Sequence, residues 1–163
     1  MTGDGTIAIS PAGRGGFRLE TEVLLPRPID EVFEFFADAR NLEALTPPWL
    51  RFRIVTPGAI ELSIGTTIDY RLRVRGLPVS WRSEITVWDP PRRFVDVQVR
   101  GPYRRWVHEH TFRERGADTL ARDLVDYAAP GGRLANGLLV ARDLRRIFEY
   151  RHRTLAARLA QVA

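Results

Sequence analysis

Three histidines and no cysteine leave this 163-residue chain few groups that can move a proton or hold a metal near neutral pH. Two of them, His108 and His110, lie in the run Trp106-Val107-His108-Glu109-His110-Thr111-Phe112. In an extended strand residues i and i+2 share a face, so both imidazoles point the same way, and Trp106 and Phe112 mark that face as the inner one. The following Gly116-Ala117 suits a two-residue hairpin turn, with glycine supplying the positive φ that a type II′ turn needs at its first central position. This register sets Arg115 opposite Asp118, and therefore His110 opposite Asp123, His108 opposite Val125 and Trp106 opposite Tyr127. A facing carboxylate orients an imidazole and raises its pKa. His110, His108 and Asp123 are thus candidates for acid–base work. The plainer reading is preferred: two hydrogen-bonded histidines lining the inside of a sheet, since charge networks perturb pKa values without any catalysis.

Other chemistry has less support. Without cysteine, a metal needs His108, His110 and a carboxylate brought together, and no HxxxH or third-ligand motif completes that set, so no metal is expected. His152 falls on the inner edge of the last helix and reads as a packing histidine. There is no GxSxG nucleophile motif. Gly13-Arg14-Gly15-Gly16 precedes the first strand instead of following one, so it is no phosphate loop and no nucleotide cofactor is expected.

The elements that must position these residues follow from periodicity. Phe17 to Leu25 alternates as a strand, ended by Pro26 and Pro28. Asp30 precedes Val32, Phe33, Phe35 and Phe36, a short amphipathic helix. A second short helix over Arg40 to Leu45 stops at Thr46-Pro47-Pro48, because the residue before proline avoids helical angles. Strand patterns then cover Trp49 to Thr56, Thr66 to Arg75, Val79 to Trp88, Arg93 to Val99, Arg104 to Arg113 and Thr119 to Tyr127, with turn residues between them, the spacing of an antiparallel meander. Asp96 and Gln98 cannot be assigned a face, since Gly101-Pro102 allows more than one register. After Pro130-Gly131-Gly132 the period changes to 3.6, and Leu134, Leu138, Ala141, Leu144, Phe148, Leu155 and Leu159 share one side of a helix that is long enough to cross a whole sheet.

The expected architecture is α+β: a curved antiparallel sheet of about seven strands wrapped on a long C-terminal helix, with two short helices after the first strand. Residues 17–162 form one domain, preceded by a glycine-rich tail over residues 1–16. A twisted sheet against a straight helix leaves gaps of the kind that small ligands fill. Tyr70, Trp81, Trp106, Phe112 and Tyr127, with Leu144 and Phe148 on the inner helix face from Leu138 to Phe148, are the expected lining, and His108 and His110 the polar anchors. The net charge is +5, but every basic residue is Arg, and acidic residues are interspersed with them. A mixed-charge solvated surface is therefore expected, not a nucleic-acid interface. No stretch reaches the ~20 apolar residues of a membrane span, and nothing resembles a secretory signal. A cytoplasmic address is the default, and a homodimer is left open.

Several of these runs resemble the SRPBCC superfamily, which includes START lipid-transfer domains, plant pollen allergens and polyketide cyclases. They are Trp88-Asp89-Pro90-Pro91-Arg92-Arg93-Phe94, Gly101-Pro102-Tyr103, the histidine strand from Trp106 to Phe112, and Arg151-His152-Arg153, which is similar to a bacterial cyclase/dehydratase-like branch. The resemblance spans roughly Phe17 to Leu159. It implies a helix-grip fold around an apolar cavity, and either carriage of a small hydrophobic ligand (lipid, isoprenoid or polyketide-like) or a cofactor-independent cyclase or dehydratase using His110 and Asp123. A third reading is an interaction domain whose cavity is filled by its own side chains.

Overall fold

The computed structural model describes residues 5–160. Six successive strands form the expected meander: β3 (Arg53–Ile54), β4 (Thr67–Val74), β5 (Leu77–Asp89), β6 (Arg93–Arg100), β7 (Arg105–Arg115) and β8 (Asp118–Ala128). Strand β2 (Gly16–Leu25) returns beside β8, and β1 (Ala8–Ala12) lies outside β2. The eight strands are ordered β1-β2-β8-β7-β6-β5-β4-β3, every pair antiparallel. Between β2 and β3 come α1 (Ile29–Ala37) and α2 (Arg40–Leu45). After β8 the chain runs through α3 (Gly132–Ala135), a π-helical turn (Asn136–Val140) and α4 (Ala141–Ala160). The result is an α+β helix-grip fold. Among the described residues no helix is long and apolar enough to cross a membrane.

Strand β8 shows why the sheet closes on α4. Its residues alternate without a break, with Thr119, Ala121, Asp123, Val125 and Tyr127 buried and the intervening side chains more exposed. On α4 the buried set is Leu144, Phe148, Arg151, His152, Leu155 and Leu159, a stripe at helical spacing. Burying one face of each element against the other removes apolar surface from water at about 25 cal/mol per Å².

The β7–β8 hairpin has the register read from its turn, from Arg115↔Asp118 through His110↔Asp123 and His108↔Val125 to Trp106↔Tyr127. Gly116 takes a φ of +66° at the turn. A valine there is held in a region that side chains rarely adopt, at a cost of about 1–3 kcal/mol. Gly116→Val is therefore expected to lower the midpoint of urea unfolding without changing its slope. Gly13→Ala, with nothing near its added Cβ and no positive φ, is the control that leaves the midpoint unmoved. Equal midpoints for the two variants would remove this account of the turn.

Three expectations need correction. Residues 1–16 are not all a tail outside the sheet, because Ala8–Ala12 pair with β2 from Ala8↔Glu20 to Ala12↔Gly16. Ile7 and Ile9 pack against the core around Phe17, which gives that segment a reason to order, and Gly13 and Gly16 serve the turn that joins the two strands. Residues 1–4 of that expected tail, and residues 161 and 162 at the far end of the expected domain, lie outside the described residues. The expected strand over 49–56 shrinks to the two residues of β3, because Pro48–Leu50 form a 3-10 turn and Arg51 takes a left-handed φ of 45°. Leu134 and Leu138, expected on the buried helix face, are 73% and 66% exposed. The π turn shifts the phase of the helix and turns Asn136 inward instead, where its Oδ1 accepts a 2.7 Å hydrogen bond from the Tyr127 hydroxyl.

Candidate functional site

The interior is two apolar clusters with a polar layer between them. One cluster, under α1, includes Val23, Phe33, Phe94, Phe112, Ala121 and Leu155. The other, toward the start of α4, includes Phe17, Leu19, Val125, Tyr127, Leu144 and Phe148. Each central element crosses from one cluster to the other and places a polar residue at the crossing. On β2 it is Thr21, between Leu19 and Val23. On β8 it is Asp123, between Val125 and Ala121. On β7 it is the pair His108 and His110, between Trp106 and Phe112. Strand β6 adds Asp96 two residues beyond Phe94, and α4 adds Arg151 and His152 between Phe148 and Leu155. Thr21, His108, His110, Asp123, Arg151 and His152 are all buried.

Asp123 is the hub of this layer. Its Oδ1 accepts a 2.8 Å hydrogen bond from His108 Nε2, and its Oδ2 accepts one of 3.2 Å from Arg151 Nε. Nδ1 of His110 lies 2.8 Å from the same Oδ1 but without hydrogen-bond alignment, so this is a charge contact. The hydrogen bond of His110 goes instead from Nε2 to Asp96 Oδ2, at 3.1 Å. His108 Nδ1 is 3.8 Å from that same Asp96 oxygen. Ser83 Oγ reaches Asp96 Oδ1 at 3.5 Å, and the Trp81 indole N–H donates to Ser83 at 3.0 Å. The two imidazoles lie 3.8 Å apart, and His110 stacks on Phe94 at 4.1 Å. Thr21 and His152 are joined by a 3.0 Å hydrogen bond.

Burial and mutual contact act in opposite directions on the titratable groups of this layer. Burial opposes ionisation of Asp123, but the Arg151 charge, the His108 hydrogen bond and the His110 contact hold its carboxyl well below the usual range. Burial likewise opposes ionisation of Asp96, and the His110 hydrogen bond with the imidazole and Arg151 charges keeps it low. The histidines diverge. Burial and the neighbouring His110 push His108 below an ordinary imidazole. For His110 the contacts with Asp123 and Asp96 outweigh burial and raise it. The same three neighbours, Arg151, His108 and His110, thus hold both carboxylates down. Burial also pushes the Tyr127 hydroxyl up to about 12.

A cavity of about 60 Å³ opens between this layer and the helices α1 and α2. Phe35, Phe36, Leu42, Leu45, Ile68 and Tyr70 supply apolar wall, and Asp96, His110 and Arg151 the polar end. Of the residues expected to line a ligand site, Tyr70 and His110 border this space. His108 and Asp123 stand directly behind His110. Trp81 and Tyr127 each pack on Trp106 and on Tyr103, with Trp81–Trp106 centroids 5.4 Å and Tyr103–Trp106 centroids 4.8 Å apart. Phe112 packs on Phe36 at 4.9 Å and on Phe33 at 5.6 Å. Leu144 and Phe148 belong to the second apolar cluster. These rings and chains fill space that the sequence reading left for a ligand. A larger depression of about 490 Å³, bordered by Arg51, Arg71, Arg73 and Ser80, lies at the β4–β5 edge, away from the buried layer, and open to solvent.

Asp96, Arg151 and Thr21 were not read from sequence as site residues. One signal could have found Arg151: it lies three residues after Phe148 and four before Leu155, on the inward stripe.

Comparison with known proteins agrees with this fold. Residues 16–160 match the model of a family described as polyketide cyclase / dehydrase and lipid transport. Solved structures with the same fold include protein Ms6760 from Mycobacterium smegmatis, 18% identical with a TM-score of 0.69, covering 97% of this chain and 100% of that one. A START superfamily protein from the same organism is 11% identical with a TM-score of 0.70, covering 90% and 99%. Ginseng major latex-like protein 151 from Panax ginseng is 15% identical with a TM-score of 0.64, covering 87% and 96%. No curated protein sequence matches this chain. With all but its first 15 and last three residues inside the family model, the chain belongs to the polyketide cyclase / dehydrase and lipid transport family of the SRPBCC superfamily.

Proposed function

We propose that this chain binds a small, mainly apolar molecule with one oxygen-bearing end. The apolar part lies among Phe35, Leu42, Ile68 and Tyr70, and the oxygen meets His110, Asp96 and Arg151. The observation that carries this reading is the division of the cavity wall, apolar on the helix side and charged at one end. Such convergence of a few polar groups on an apolar space is the usual form of a small-molecule site. At about 60 Å³ the cavity has room for roughly two waters. A larger guest enters by moving α1 and α2 outward, and these helices form the cover over that space.

Native mass spectrometry of the chain as purified from a bacterial host, repeated after denaturing extraction, tests the proposal. The expected result is a retained small molecule at one per chain, absent from Ile68→Trp, where the indole fills the cavity. His110→Gln should still retain it with modestly weaker affinity. An empty wild-type chain that also fails to bind an anilinonaphthalene sulfonate dye would overturn the reading in favour of an interaction domain. If the bound molecule is converted, and His110→Gln slows that conversion by about 10²–10⁴-fold, the protein is instead a cyclase- or dehydratase-type enzyme using His110 as its base.

A further inference from the structure

The sequence alone offers no third ligand to accompany His108 and His110, but the fold brings one from β6. Asp96 pairs with His108 across the β6–β7 ladder. Donor atoms of Asp96, His108 and His110 all lie within 4.8 Å of one another. We propose that these three side chains form a binding site for a divalent first-row transition-metal ion, with Asp123 as the group that orients His108 by its hydrogen bond and sets negative charge behind His110.

The argument rests on which atom faces which. Each imidazole has one nitrogen against Asp123 and the other toward Asp96. His108 Nε2 and His110 Nδ1 both lie 2.8 Å from Asp123 Oδ1. His108 Nδ1 and His110 Nε2 lie 3.8 and 3.1 Å from Asp96 Oδ2. Asp123 holds the N–H side of His108, and an ion that displaces the proton His110 Nε2 now shares with Asp96 meets the lone pairs of His108 Nδ1 and His110 Nε2 beside the Asp96 oxygen. A carboxylate behind a metal-binding histidine is the arrangement that fixes tautomer and ring direction in known sites. An ion bound at about 2.0–2.2 Å from each donor spaces tetrahedral donors about 3.3–3.6 Å apart, between the 3.1 and 3.8 Å that separate the imidazole nitrogens from Asp96 Oδ2.

The donor set also selects the ion. Two imidazoles and one carboxylate suit zinc, cobalt, nickel or iron(II), whereas magnesium and calcium prefer all-oxygen shells. Asp123 is less suited to be the ligand itself, because Arg151 occupies its Oδ2. Asp96 Oδ2 meets the two imidazoles that would share the ion, and its Oδ1 has, among the described residues, only the 3.5 Å contact from Ser83. Because Asp96 and His110 border the cavity, an ion between them keeps an open position toward it. Three protein ligands with one open position is the pattern that leaves room for water or a ligand oxygen.

The experiment uses the full chain, stripped with a chelator and titrated with Co2+, whose visible d–d absorption reports coordination number. Expected is saturation at one ion per chain with the band intensity of a four- or five-coordinate site, and displacement by Zn2+. Asp123→Asn should weaken binding by about 10–100-fold, Asp96→Asn by more, and His152→Gln should leave it unchanged. Circular dichroism of each variant separates a lost site from a lost fold. Absence of saturable Co2+ binding by the stripped wild-type chain overturns the proposal. Binding that Asp96→Asn does not weaken overturns it equally, as the ion would then be at the surface. No organic ligand enters the titration, so its failure and the failure of the ligand-binding reading are distinguishable.

Discussion

Replacing Asp123 with alanine is expected to destabilise the fold by about 3–5 kcal/mol, the range for removing one partner of a buried ion pair. Asp123 is 5% exposed and meets Arg151, His108 and His110 at once. Its loss leaves a guanidinium buried beside two imidazoles, with Asp96 as the remaining anion of the layer. The comparison that isolates burial is Asp126→Ala on the same strand, whose partner Arg18 has about half its side chain in solvent. That pair should be worth no more than about 1 kcal/mol. Urea unfolding of both variants measures the difference. Arg151→Met combined with Asp123→Leu should be less damaging than Asp123→Ala alone, because the double change removes the stranded charge together with its partner. If Asp123→Ala unfolds within 1 kcal/mol of wild type, the polar layer is hydrated in solution and does not act as a buried unit.

The second large effect belongs to Phe33. This α1 residue is buried and its ring lies 5.2 Å from Trp88, 5.6 Å from Phe112 and 6.0 Å from Phe94. Phe33→Ala should cost about 3–5 kcal/mol, as for other large-to-small core changes of phenylalanine. The effect should also be local. Because α1 is the cover of the cavity, its amides over 29–37 should exchange hydrogen faster in the variant, beyond any uniform rise across the sheet. Phe33→Leu keeps part of the contact and should fall between the two. A loss below 1 kcal/mol, or exchange that rises equally in every strand, would place the anchor of α1 elsewhere.

The parts of this molecule legible in its sequence are those governed by short-range periodicity. The inward face of β7 and its pairing with β8 follow from alternation and one two-residue turn, and both appear with the expected partners. The bonding is less simple than that register suggests, since Asp123 hydrogen-bonds His108 on the diagonal while His110 turns to Asp96. Asp96 was illegible from both sides, because Gly101-Pro102 leaves the register toward β7 open and β5 offers no steadier guide. The β5–β6 pairing shifts register between Arg82 and Ser83 and again between Ile85 and Val87, and each shift breaks the parity needed to carry a facing from one strand to the next. Arg151 was hidden by its type, because an arginine on a helix reads as solvent-facing unless a buried anion is already known to wait for it. The π turn at Asn136–Val140 has no periodic signature either. It changes the phase of the helix, so an apolar stripe extrapolated backward from Leu144 places Leu138 and Leu134 on the wrong side.

The two outermost strands carry a last consequence. Every open sheet ends in unpaired backbone groups that can template another chain. Here one border is the five-residue β1, which contains Pro11 and so has one amide fewer to donate. The other is β3, two residues long, beside β4 with its outward Arg71 and Arg73. A short rim broken by proline on one side, and a stub flanked by like charges on the other, give a second copy little to zip onto. The extended β5, β7 and β8, which would be the most hazardous templates for aggregation, are each enclosed by a neighbour on both sides.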